Sequence, residues 1–230
     1  MMDVESLGIA LSLILLTATL GALAARGLAR YLHDRSRPQL MWGVGLLLAA
    51  VATTVELVVY LGFVDSPLLQ TYVFLSAAIV GVLSLGSTRA IRSIRFRNGY
   101  TAYTLATCGI VGVFTVATPL SSSMVSGGVI TGNPPVDLLI LSTLVTVPAT
   151  VVLLGAVVLS LRRSWQWRTV MMGIGASVLA GGGALYIASF PVALYYSEFI
   201  GIVLIFLGLV TLPLVTSSTA VVGERVGKTA

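Results

Sequence analysis

Charge is what this sequence has least of. Only 9% of its 230 residues are charged, and lysine, histidine and cysteine occur once each, as Lys228, His33 and Cys108. Each shortage closes off some chemistry. A lone cysteine forms no intramolecular disulfide, and within an apolar run it reads as a small buried hydrophobe. A lone histidine cannot supply two axial haem ligands, and with one cysteine it leaves no His/Cys zinc site. A Ser–His dyad inside the apolar segments lacks its base, because His33 sits in a polar connection. One acid, Glu56, falls well inside an apolar run, and one acid alone is no catalytic set. The expectation is a protein that is not an enzyme and carries no cofactor and no metal.

Apolar sequence is what the chain has in abundance. It is 57% hydrophobic with a mean hydropathy of +1.03, outside the range of soluble globular domains. A helix of about 20 apolar residues crosses a bilayer. Seven such runs fit, at about 5–26, 40–63, 67–89, 101–119, 137–161, 169–190 and 196–216. No connection is long enough for a soluble domain. The prediction is one all-α membrane domain over 1–230, a seven-transmembrane helix bundle whose first partner is the lipid bilayer.

The pI near 9.7 invites a nucleic-acid reading, and the placement of the charges argues against it. Arg26, Arg30, Arg35 and Arg37, then Arg89, Arg92, Arg95 and Arg97, then Arg162, Arg163 and Arg168, then Arg225 and Lys228 all fall on one side of a seven-span chain. Asp3, Glu5, Asp65, Asp137 and Glu198 fall on the other, and only Asp34 and Glu224 join the basic side. This is the positive-inside pattern of the cytoplasmic (plasma) membrane, with the N-terminus outside and the C-terminus cytoplasmic. The acidic start, before a long first run, argues for an uncleaved span despite the cleavage-like Ala22-Leu-Ala24. Arg89, Arg92, Arg95 and Arg97 alternate with apolar residues and are predicted lipid-headgroup contacts.

Glu56 organises the second span. Trp42, Ala49, Thr53, Glu56 and Tyr60 recur at helical spacing and share one face. An unpartnered carboxyl is costly in lipid, so that face should turn inward, with Glu56 about 9–10 Å from the helix end near Gly62. Gln70 and Tyr72, early in the antiparallel third span, reach a similar depth and are candidate hydrogen-bond partners. Thr53, Glu56, Tyr60, Gln70, Tyr72 and Tyr186 therefore form the candidate ligand- or ion-binding set. The competing reading is a hydrogen-bonded Glu that locks two helices together.

Further features shape the bundle. Ala77 and Gly81 make a small-xxx-small pair, and Gly173, Gly175 and Gly181-Gly-Gly183 give the sixth span a small surface. Pro148 should kink the fifth span and free a carbonyl. The connection Leu120 to Pro135, uncharged and rich in Ser, Gly and Val, reads as a linker in preference to a lid. At an offset of 130, Met41–Gly45 falls on Met171–Gly175 and Glu56 on Tyr186, which suggests a 3+1+3 parallel repeat.

In topology alone such a chain resembles the microbial rhodopsins and the G-protein-coupled receptors. The lysine that retinal needs in the last helix is absent, so no retinal is expected. Two functions remain. One is a small-solute or ion carrier with a reversible proton or cation site at Glu56. The other is a non-catalytic accessory or sensory subunit that acts through a membrane protein partner or a homo-oligomer. It would use its basic loops and small-residue faces, and lipid-exposed small faces would favour it. The carrier is preferred.

Overall fold

The computed structural model describes residues 4–35, 37–88, 91, 93–126, 128–130, 134–163, 167, 170–171, 173–175, 177–178 and 200–204. Five helices dominate: α1 (Val4–Asp34), α2 (Arg37–Tyr60), α3 (Ser66–Ser87), α4 (Ile94–Ala117) and α5 (Val136–Arg163). All five are long and apolar enough to cross a membrane. Among the described residues the chain is almost wholly helical, and it is a multi-pass membrane protein. The expected spans at 169–190 and 196–216 lie largely outside the described residues, and so does most of the second half of the suggested repeat.

The helix ends follow from local chemistry. Pro38 occupies the first turn of α2, where its missing N–H costs little. That helix closes in a Schellman motif: Phe63 N–H bonds to Val58 O at 3.3 Å and Gly62 N–H to Val59 O at 2.9 Å. Gly62 takes the left-handed φ of +98° that the motif requires and that only glycine adopts without strain. Asp65 stands at the N-cap position of α3 in extended backbone without a side-chain capping bond, and Pro67 follows in the first turn. The Ser93 hydroxyl opens α4 by accepting from Phe96 N–H.

Packing runs α1 on α2, α2 on α3, α3 on both α4 and α5, and α4 on α5. The α1–α2 contact is backbone-close, since a Cβ on Gly27 would lie 3.1 Å from Gly43 Cα. Ala77 and Gly81 are buried where α3 meets α4 and α5. A Cβ on Gly81 would come within 3.3 Å of Thr104, Cys108 and Val145. Gly173 meets α5 in the same way, through Val157.

Pro148 lies inside α5 and cannot donate to the Leu144 carbonyl one turn before it. The Tyr103 hydroxyl of α4 takes that place at 2.6 Å. A backbone group that lipid could not satisfy thereby becomes a bond between two helices.

The connection after α4 is not the bare linker expected. A 3₁₀ turn, Ser122–Met124, leads into a two-stranded antiparallel hairpin, β1 (Val125–Ser126) and β2 (Val129–Ile130), with Val125 opposite Ile130 and Ser126 opposite Val129. Leu120, Met124 and Ile130 are buried against Val55, Val59, Leu69, Val73 and Leu138. The apolar residues of this uncharged stretch thus cap one end of the bundle. Gly128, at φ +79°, lets the hairpin come close to the Tyr60 ring.

Candidate functional site

The inward faces of α2 and α3 are more polar than their surroundings. Thr53 and Glu56 on α2 and Ser84 on α3 are buried, as are Thr104 and Thr115 on α4. Every hydroxyl in that group has a partner, most often the carbonyl one turn back, as hydroxyls in lipid require. Glu56 is the one acid among these buried groups, and it is 5% exposed.

Glu56 opens onto a cavity of about 250 Å³. α2 contributes Trp42, Leu46, Ala49, Ala52, Thr53 and Glu56 to its wall, and α3 contributes Tyr72, Ser76, Ile79, Val80 and Leu83. Leu20 and Leu23 of α1, Leu153 and Leu154 of α5, and Ile202 add apolar surface to it, and Thr150 adds a hydroxyl. Four of the five residues expected on one face of the second span therefore border one space.

The register of α2 and α3 fixes where the polar groups lie. Trp42 packs over Gly86, and Leu83 over Gly45. Carried along two antiparallel helices, that register brings Tyr72 level with Glu56. Both side chains have interaction partners within the fold. One turn from Glu56 towards Trp42, the Thr53 hydroxyl lies 2.9 Å from that of Thr17, tying α1 to the same wall.

The other candidates are placed differently. Tyr60 leaves the cavity wall to pack near Leu13 of α1 and over Gly128 of the hairpin. Gln70 points towards α4, where its Nε2 donates to Thr118 O at 2.9 Å and Val116 O at 3.3 Å. Its amide caps the end of α4, whose last carbonyls have no helical donor. Gln70 is thus a clip on the hairpin end of the bundle and not part of the Glu56 wall. Tyr186, Arg89 and Arg92 lie outside the described residues. Arg95 is exposed and Arg97 half-buried at the start of α4, beside exposed Ile94 and Phe96.

Ser76, Thr150 and Thr17 join the site without having been expected. Ser76 was within reach of sequence reasoning, one turn beyond Tyr72 on the same helix face. Thr17 and Thr150 depend on which helices become neighbours, which periodicity does not reveal. Among the described residues no cluster of three or more His, Cys, Asp or Glu could hold a metal ion. The chain matches no family model, no curated protein and no solved structure.

Proposed function

We propose that the protein is a non-enzymatic, seven-span carrier of the plasma membrane, with its N-terminus outside, that binds a proton or small cation reversibly at Glu56. One observation carries this reading: a buried carboxyl lines a cavity well inside an apolar run, whereas the chain's other charges fall at or beyond the ends of such runs. Ionisable groups within spans are costly and concentrate where ions or substrates pass. Thr53, Tyr72 and Ser76 serve the same site, and Tyr60 and Gln70 hold its capped end. Arg95 and Arg97, with Arg89 and Arg92, anchor the cytoplasmic face on anionic lipid.

The accessory-subunit reading loses ground where its contact faces are packed away. Ala77 and Gly81 are buried between helices, and Gly173 packs on α5. It keeps one point in favour: Gly99, Ala102, Ala106 and Gly109 line an exposed side of α4, which suits a partner helix or a second copy.

The test is solute-dependent proton movement in proteoliposomes, followed with an internal pH dye over a panel of small solutes. The wild type moves protons with at least one solute, and Glu56→Gln does not, while keeping the wild-type elution profile. Proton movement that survives Glu56→Gln, or none with any solute, contradicts the reading.

A further inference from the structure

We infer that the cavity beside Glu56 is shaped for a lipophilic organic amine, an elongated molecule with one protonated nitrogen and an apolar tail. The inference rests on the carrier reading for its biological sense but stands on its own geometry. The wall is divided along its length. Glu56, Thr53, Tyr72 and Ser76 lie towards the capped end, whereas Trp42, Leu46, Leu83, Leu20 and Leu23 carry it on as aromatic and aliphatic surface. From Glu56 to Trp42 the lining follows α2 for about 21 Å of its axis.

The polar end calls for a donor. Ser76 gives its hydroxyl proton to Val73 O at 2.9 Å, and Thr53 directs its own to Ala50 O at 3.1 Å. Ser76 and Thr53 then keep acceptor lone pairs, one of those on Thr53 taken up by the Thr17 hydroxyl, and an ionised Glu56 only accepts, so the Tyr72 hydroxyl is outnumbered by acceptors at this end. No described lining residue is basic, so an anion would find no counter-charge. An inorganic divalent cation wants about six oxygen ligands, and most of this wall is hydrocarbon. An ammonium group needs one carboxylate and a few acceptors for its N–H bonds, and Glu56, Thr53 and Ser76 stand together at the polar end, while its apolar tail would run towards Trp42 and Leu83.

Size completes the match. A dry cavity of about 150 Å³ accommodates benzene, so about 250 Å³ suits a ligand of roughly ten non-hydrogen atoms. A bare proton would need no such space.

The experiment is calorimetric titration of the purified full chain in lipid nanodiscs with 2-phenylethylamine, 2-phenylethanol and phenylacetate, which share a skeleton and differ in the polar group. The amine should bind at least tenfold more tightly than the alcohol, and phenylacetate should not bind. Glu56→Gln should erase the preference for the amine and leave the alcohol's affinity within threefold. Ala49→Phe, which fills the wall without touching Glu56, should abolish binding of both.

Equal affinity for amine and alcohol overturns the inference, as does a preference that survives Glu56→Gln, or no amine binding to the folded wild type. Its failure is separable from that of the carrier reading. Amine that binds but does not cross proteoliposomes sustains the site and removes the carrier. Glu56-dependent proton movement without amine binding does the reverse.

Discussion

α2 and α4 are equally long, 24 residues each, and both are apolar enough to cross a bilayer, yet they are used in opposite ways. Half of the most apolar stretch of α2 is buried, against 22% of that of α4. α2 turns Thr53 and Glu56 inward. α4 turns its hydroxyls inward at Thr104 and Thr115 and leaves Leu105, Val113 and Val116 exposed on its outer side. In water the apolar stripe of a helix marks the interior. In lipid the outer surface is as apolar as the core, and it is the buried polar residues, Thr53 and Glu56 on α2 and Thr104 and Thr115 on α4, that mark the inside here, since α4 also carries small residues on its exposed side. α2 is the more apolar of the two as well as the more buried, and it lies between α1 and α3, so its neighbours and its hydropathy act in the same direction.

The sharpest way to break that contrast is to move the acid. Leu105→Glu puts a carboxyl on the exposed middle of α4, where it should cost about 3 kcal/mol of insertion free energy and sharply reduce folded protein recovered from membranes. Glu56→Gln, an exchange on the inward face of α2, should leave recovery close to wild type. Equal losses from the two changes would erase the distinction between the faces.

Steric changes should separate the helices next. Gly27→Leu must push α1 off Gly43 of α2 and should destabilise by about 2 kcal/mol, read as a lower thermal midpoint in detergent. Gly109→Leu on α4, with nothing within 4 Å, should shift stability by less than about 0.5 kcal/mol.

The α4–α5 bond offers a finer test. Tyr103→Phe strands the Leu144 carbonyl and should cost about 0.6–1 kcal/mol. In a Pro148→Ala background the restored backbone N–H can satisfy that carbonyl, so the same change should cost almost nothing. A double-mutant cycle with no coupling would show that the hydroxyl does not replace the missing N–H. The smallest effect belongs to Gln70→Leu, which releases the end of α4. It should cost about 0.5 kcal/mol and speed amide exchange in 118–130 without altering exchange in α2.

The contrast also explains how far the sequence could be read. Long apolar runs announce spans whatever surrounds them, so α2, α3 and α5 appear within about three residues of where composition puts them, whereas α1 runs on through the expected loop to Asp34 with His33 in its last turn, and α4 begins at Ile94, ahead of the expected start at 101. Glu56 was legible because a lone acid in a span must face inward. Three features were not. The hairpin cap is built from Leu120, Met124 and Ile130, which look like loop residues until they meet Val59 and Leu69. Gln70 seemed a partner for Glu56 on depth alone, but its direction around α3 takes it to α4. Tyr103 and Leu144 are paired by the fold, and nothing local to either predicts the other. Depth and face can be read from periodicity, whereas the identity of the neighbouring helix cannot.

The central claim is that Glu56 exchanges its proton and does not merely lock helices. Infrared difference spectroscopy of the purified protein in lipid tests this most directly, with the carboxyl band assigned by its loss in Glu56→Gln. The account predicts that the band rises and falls reversibly with pH and responds to an added cation. A band that stays unchanged across the pH range in which the protein remains folded would mean that Glu56 is a structural lock, and the carrier reading would fall with it.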